Sequence, residues 1–255
     1  MKTQSRVLVT AGGSGIGRAI AEAFVRDGAK VAICDVSDHA LEDVRRRSPR
    51  ILAFAADVSD TDQVTHWMTA CASELGGVDV LVNNAGIGGP RAPIGEVPNE
   101  EWDRTIAVNL NGAFYCMQAA VPHMKEAGGG CIINISTTSA RTGLPNRSPY
   151  VASKVGLLGL TYTAARELGQ FNIRCNAILP GYMDNPRGHA LIAKHAEETG
   201  KSLEDARSEF MRFISMRTMI GMDEVASMAV FLASDAARHV SGQQIGVCGN
   251  QEYEI

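Results

Sequence analysis

Tyr150 and Lys154 stand four residues apart in SPYVASKVGLLGL, the largely apolar stretch from Ser148 to Leu160. On a helix, residues at i and i+4 share a face, so this spacing presents a phenol and an ammonium to one space. Two arrangements fit. In one, the helix is amphipathic, its tyrosine half-buried and its lysine snorkelling to water. In the other, the cation makes the phenol acidic enough to exchange protons near neutral pH. The pair by itself does not choose between them.

A second group with chemical content lies near the start of the chain. TAGGSGIGRAIAEAF sets Gly12, Gly13, Gly15 and Gly17 between the apolar run RVLVT and an amphipathic stretch that stops at Gly28. Glycines there permit a tight turn and let a diphosphate approach the backbone, where its charge meets a helix N-terminus. An ordinary glycine turn would read the same in isolation; its place directly after a first strand is what points to a dinucleotide. Eighteen residues past Gly17, KVAICD ends in Asp35, placed to accept hydrogen bonds from adenosine ribose hydroxyls. A carboxylate at that point repels a 2′-phosphate, so NAD(H) is expected rather than NADP(H). Arg18 and Arg45 are the cations that would serve NADP(H) instead.

These groups need elements to hold them. Seven short apolar runs, RVLVT, KVAICD, ILAFAAD, DVLVNNA, CIINIS, IRCNAILP and QQIGVCG, alternate with helix-patterned segments. That rhythm predicts an α/β fold of βαβ units, and the continuous rather than alternating hydrophobicity predicts strands covered on both faces. No linker or low-complexity tract divides residues 1–255, which are expected to form a single domain. Residues 184–222 break the rhythm between the sixth strand and the last helix and strand. Ser202 with Asp205 offers a capping-box-like start there, so the insertion is expected to be partly helical and to serve as a substrate lid.

Composition narrows the partners. With 28 acidic and 24 basic side chains the net charge is −4, which offers no general attraction to nucleic acid or an anionic membrane. The basic run RRRSPR from Arg45 to Arg50 fits a helix end. Six cysteines are scattered singly without a CxxC, as small buried hydrophobes in a reducing compartment would be. The six histidines form no ligand array, and no metal is expected. With no signal-like or membrane-length apolar segment, a soluble cytoplasmic protein is expected.

In this order and spacing the motifs resemble those of the short-chain dehydrogenase/reductase family, over nearly the whole chain. Its TGxxxGxG signature is matched by Thr10 to Gly17, with Ala11 in place of the first glycine. Its acidic adenine contact is matched by Asp57 before Val58, its NNAG by Asn83 to Gly86, and its asparagine by Asn109 in AVNLNG. YxxxK is matched by Tyr150 and Lys154, and the proline-glycine turn by Pro180-Gly181. The resemblance implies a single-domain, Rossmann-type, doubly wound, seven-stranded parallel sheet with helices on both faces.

It implies further that NAD is held by Ala11, Gly12, Ser14, Gly15, Ile16 and Gly17, by Asp35 and Val36, by Asp57 and Val58, and by Asn84, Ala85 and Gly86. Tyr150, Lys154, Pro180, Gly181, Met183 and Asn185 complete that set. Tyr150 becomes a general acid/base for interconverting a secondary alcohol and a ketone, with a sugar, polyol or hydroxy acid as possible substrates. Bringing a phenol from pH 10 to about 7 takes roughly 4 kcal/mol, and a cation about 4 Å away at an effective dielectric of about 20 supplies on the order of that.

Asn109 is implied in a water link from Lys154 to solvent. Thr137 stands where the family has its catalytic serine, with Ser136 and Ser139 as competitors. Asn185 replaces a frequent threonine, and VCGN replaces VDGG near the end, a change read as structural. A carbonyl reductase using NADPH and a non-catalytic dinucleotide sensor are the alternative readings. Assembly as a homotetramer or homodimer through the helices carrying Asn109 and Tyr150 is implied as well.

Overall fold

The computed structural model describes residues 4–252, so the terminal positions 1–3 and 253–255 of the expected 1–255 domain lie outside the described residues. Strands β1 (Arg6–Thr10), β2 (Lys30–Asp35), β3 (Ile51–Ala55), β4 (Val80–Asn83), β5 (Gly130–Ile135), β6 (Ile173–Pro180) and β7 (Gln244–Val247) form one sheet. Its order is β3-β2-β1-β4-β5-β6-β7, and every neighbouring pair is parallel.

Among the described residues ten α-helices lie between these strands: α1 (Gly15–Arg26), α2 (Asp38–Arg47), α3 (Thr61–Leu75), α4 (Asn99–Ile106), α5 (Gly112–Glu126), α6 (Ser139–Thr142), α7 (Ser148–Leu168), α8 (Pro186–Thr199), α9 (Leu203–Met211) and α10 (Met222–Ala233). The two-sided burial expected from the apolar runs is present residue by residue. Val7, Val9, Val31, Ile33, Val80, Val82 and Ile133 face one core with side chains of α1, α2 and α10. Their neighbours Leu8, Ala32, Leu81 and Ile132 face the other, with Trp67 and Met68 of α3 and Cys116 and Met124 of α5. Successive side chains on a strand point to opposite faces, so a strand apolar at each position needs helices on both.

Chain order reverses on either side of β1, because β1 pairs with both β2 and β4. The crevice beyond the carboxyl ends of β1 and β4 is therefore the switch point at which such sheets bind ligands. The interrupting segment is helical in part, as expected. It folds into α8 and α9, followed by an extended return in which Met183 bridges Ile220 and Ile214 bridges Gln251. Ser202 Oγ accepts from Asp205 N at 3.1 Å and donates to Asp205 Oδ2 at 2.7 Å, starting α9. Ile192, Ala196, Ala206, Met211, Ile214 and Met219 give this hairpin a small core of its own.

Candidate active site

The lysine does not snorkel. Within α7, Lys154 lies on the buried stripe with Leu157, Leu158, Thr161 and Ala164 and is only 4% exposed. Its Nζ donates to the Ile135 carbonyl at the end of β5, 2.9 Å away. Burial lowers the ammonium's pKa to about 8, as removal of a cation from water requires. The loop after β4 comes close to it: a Cβ on Gly86 would lie 3.1 Å from Lys154 Nζ and 3.4 Å from Asn109 Oδ1. Gly86, Asn109 and Lys154 thus meet at one place, as the motif order implies.

Asn109 is fully buried in a π-helical turn, Ala107–Asn111, between α4 and α5. Such turns insert a bend and recur at functional sites. Its Oδ1 accepts from Ile87 N at 2.7 Å, and its Nδ2 donates to Ile87 O at 2.9 Å and to Ser153 Oγ at 3.0 Å. The amide therefore fastens the loop after NNAG to the turn and to α7. Ser153, which in turn donates to Tyr150 O at 2.7 Å, is a member of this network that sequence reasoning did not single out.

Among the hydroxyls after β5, Ser136 Oγ turns inward and donates to Lys154 O at 3.1 Å. Thr137 Oγ1 instead donates to Ser139 Oγ at 3.2 Å and accepts from Ser139 N at 3.3 Å. Ser136 is a bridge from the end of β5 to α7, which leaves Thr137 and Ser139 as a hydroxyl pair bonded to each other at the start of α6. A further cation, missed at the level of sequence, stands over the tyrosine: the Arg147 guanidinium carbon is 5.6 Å from the centroid of the Tyr150 ring.

At the glycine turn, Ala11 has φ 48°, a left-handed conformation in which a Cβ is strained, and Gly15 has φ 55°. Gly17 has a different reason to lack a side chain, since a Cβ there would collide with Ala11 O and Asn84 Nδ2. The first turn of α1 contains no acidic residue, and the N-cap Ser14 makes no side-chain cap. Open amides at the positive end of a helix beside a space closed to side chains suit a diphosphate.

Asp35 accepts from Gly13 N at 3.0 Å and from Ser37 N at 3.0 Å, so its carboxylate is held against this turn. Val36, next to it, is 72% exposed. Both candidate cations for a 2′-phosphate are engaged: Arg18 pairs with Asp43 at 2.6 Å and Glu22 at 2.9 Å, and Arg45 donates to Ala53 O at 2.8 Å.

Asn84 donates through Nδ2 to Thr10 O and Ala11 O, each at 3.1 Å, while Thr10 Oγ1 accepts from Asn84 N and Ala85 N, each at 2.9 Å. Thr10 therefore ties the ends of β1 and β4 together across the crevice. Its only sequence signal was its place at the head of the glycine signature. Asp57 Oδ1 accepts from Ser59 N and Ser59 Oγ at 2.8 and 2.7 Å, and Val58 packs against the start of α5, where a Cβ on Gly112 would strike it.

Gly181 sits against Cys248, and its amide donates to Val247 O at 2.9 Å. Asn185 caps α8, its Oδ1 accepting from Gly188 N at 2.8 Å. In the VCGN turn, Asn250 Nδ2 donates to Ser215 Oγ at 2.8 Å, anchoring the return from α9. No group of three potential metal-ligating side chains occurs among the described residues, and none of their helices is long and apolar enough to cross a membrane.

Comparisons with known proteins bear on the family and the fold. A family model described as enoyl-(acyl carrier protein) reductase matches residues 10–249. Levodione reductase of Leifsonia aquatica is 34% identical, over 98% of this chain and 94% of its own. A 3-oxoacyl-(acyl-carrier-protein) reductase of Thermotoga maritima is 35% identical, over 98% of each chain. Among solved structures, NAD+-bound xylitol dehydrogenase superposes with a TM-score of 0.89 at 28% identity, covering 98% of this chain and all of that one. A variant of actinorhodin polyketide ketoreductase with NADPH gives 0.90 at 29% identity over 99% of both.

Proposed function

The chain belongs to the short-chain dehydrogenase/reductase family, and from that premise we propose that it is an NAD(H)-dependent enzyme interconverting a secondary alcohol and a ketone. The observation that carries the reading is the buried Lys154 ammonium on the tyrosine's own helix face, at the crevice where the glycine turn and the NNAG loop meet. NAD+ bound there supplies a hydride acceptor. Gly12 to Gly17 would hold its diphosphate, Asp35 its adenosine ribose, and Gly86, Lys154 and Gly181 its nicotinamide end.

Tyr150 takes the hydroxyl proton in oxidation and returns it in reduction. Lys154 lowers the cost of the phenolate by its charge, which the buried setting screens weakly. Thr137, next to Ser139, orients the substrate oxygen by hydrogen bonding. Asn109, bordering the same ammonium, belongs to the path by which the proton reaches solvent. The α8–α9 hairpin within 184–222 acts as the substrate lid.

Asp35 and the engaged Arg18 and Arg45 support NAD(H). The likeness to a ketoreductase bound to NADPH favours the second reading, a reductase using that cofactor. Six free cysteines support a reducing, cytoplasmic setting. The test is a screen of secondary alcohols, sugars and hydroxy acids for reduction of NAD+ and of NADP+ in parallel. Higher kcat/KM with NAD+ is expected; a preference for NADP+ overturns the cofactor assignment, and turnover with neither overturns the catalytic one.

A further inference from the structure

The entrance to this site is basic beyond what the fold needs. Arg147 is the residue from which α7 departs, Arg187 lies in the first turn of α8, and neither helix has an acidic residue in its first turn. Helix N-termini carry partial positive charge, so cations there are the reverse of the stabilising arrangement. The two side chains nevertheless converge: a Cβ on Gly88, two residues past Gly86, would lie 2.6 Å from Nη2 of each. Burial lowers the Arg147 pKa, and the charges of Arg187 and Arg91 lower it further against the opposing effect of Tyr150.

Four arginines are matched with carboxylates: Arg6 with Asp79, Arg18 with Glu22 and Asp43, Arg46 and Arg47 with Asp43. Among the described residues no such ion pair forms at Arg91, Arg147 or Arg187. Arg147 Nε is, moreover, buried without a hydrogen-bond partner. A buried donor on a cation is costly unless something accepts from it.

We propose that Arg147 and Arg187, with Arg91 at the rim, form an anion subsite that holds the carboxylate of a hydroxy acid or keto acid while its carbinol or carbonyl carbon lies at Tyr150. The assignment rests on the dehydrogenase reading above and names its substrate class. Planar guanidinium forks match a carboxylate in geometry as well as charge. The 5.6 Å from the Arg147 guanidinium carbon to the Tyr150 ring suits a small acid whose two functional groups are separated by only a few carbon atoms.

The test uses the full chain with NAD+ and pairs of substrates that differ in charge alone, a hydroxy acid and its primary amide. Wild type should favour the acid in kcat/KM by about tenfold or more, the effect of a charge-assisted hydrogen bond. Arg147→Gln and Arg187→Gln should each raise KM for the acid by about tenfold or more, leave KM for NAD+ unchanged, and bring acid and amide toward parity. Arg187 is exposed, so its variant probes the subsite with little risk to folding.

An unchanged preference for the acid in both variants, or an effect confined to KM for NAD+, overturns the subsite. Calorimetry with malonate in the presence of NAD+ separates the two readings. Arginine-dependent malonate binding without turnover of any alcohol keeps the subsite and overturns the dehydrogenase. Efficient turnover of neutral alcohols with no malonate binding does the reverse.

Discussion

A buried lysine whose ammonium donates to one backbone carbonyl exerts a strong field on its neighbours at the cost of being hard to keep protonated. The Lys154 pKa of about 8 lies below the 10.5 of an unburied lysine. Between these values the unfolded chain binds a proton that the folded chain does not, so stability should rise with pH through that window. Relative to Lys154→Met, the wild type should gain roughly 3 kcal/mol between pH 8 and 10.5, read by urea denaturation of both proteins at each pH. Parallel curves would show that the ammonium is not desolvated. At Tyr150 the expectation concerns rate: Tyr150→Phe should lower kcat by about a hundredfold or more while leaving NAD+ affinity nearly intact. Substantial turnover in that variant would remove the general acid/base. The neighbouring Thr137, Ser139 and Ser153 are distinguished only by where their hydroxyls point, which residue type alone does not encode.

At the scale of elements, the turn from β1 to α1 shows two distinct reasons for glycine. Gly15 is needed for its backbone angle, with nothing within 4 Å of an added Cβ, whereas Gly17 is needed for space. Ala11, at φ 48°, has the angle without the residue that tolerates it. Ala11→Gly should therefore stabilise the protein by about 1 kcal/mol, since relief of left-handed strain outweighs the added freedom of the unfolded chain. Gly17→Ala should destabilise it and weaken NAD+ binding. Thermal unfolding and cofactor titration of both variants check the pair; loss of stability in Ala11→Gly would mean that the alanine methyl makes packing contacts that outweigh its strain. The start of the α8–α9 hairpin is likewise set by local chemistry, with Asn185 supplying the cap and Pro186 the first helical residue of α8.

For the whole molecule, the sheet order brings residues distant in sequence to one edge. Thr10 and Asn84, 74 positions apart, meet because β1 pairs with β4 on one side as well as with β2, the strand that follows it, on the other. The face opposite the crevice's α1 side carries exposed Trp102 on α4, Phe114 on α5, and Val155 and Tyr162 on α7. Such side chains, on the helices that follow and flank Asn109 and Tyr150, support assembly into a homotetramer or homodimer. Light scattering over a range of protein concentrations should give a mass two or four times that of the chain. The double variant Phe114→Lys and Val155→Lys should shift it toward the monomer, and a monomeric wild type would exclude the assembly.

The sequence by itself determined the seven strands, the two-sided burial, the glycine turn with Asp35, and the order of Asn109, Tyr150 and Lys154. These follow from hydrophobic periodicity and short spacings, which are local and survive without coordinates. Only the tertiary structure decided that Lys154 is buried rather than snorkelling, that Ser136 faces α7 while Thr137 meets Ser139, and that Asn185 caps a helix. It alone brought Arg147 of one helix start and Arg187 of another to Gly88. Each of those outcomes depends on which side chains from remote segments occupy the same few ångströms, and on the dielectric they create together. No pattern along a single segment carries that information.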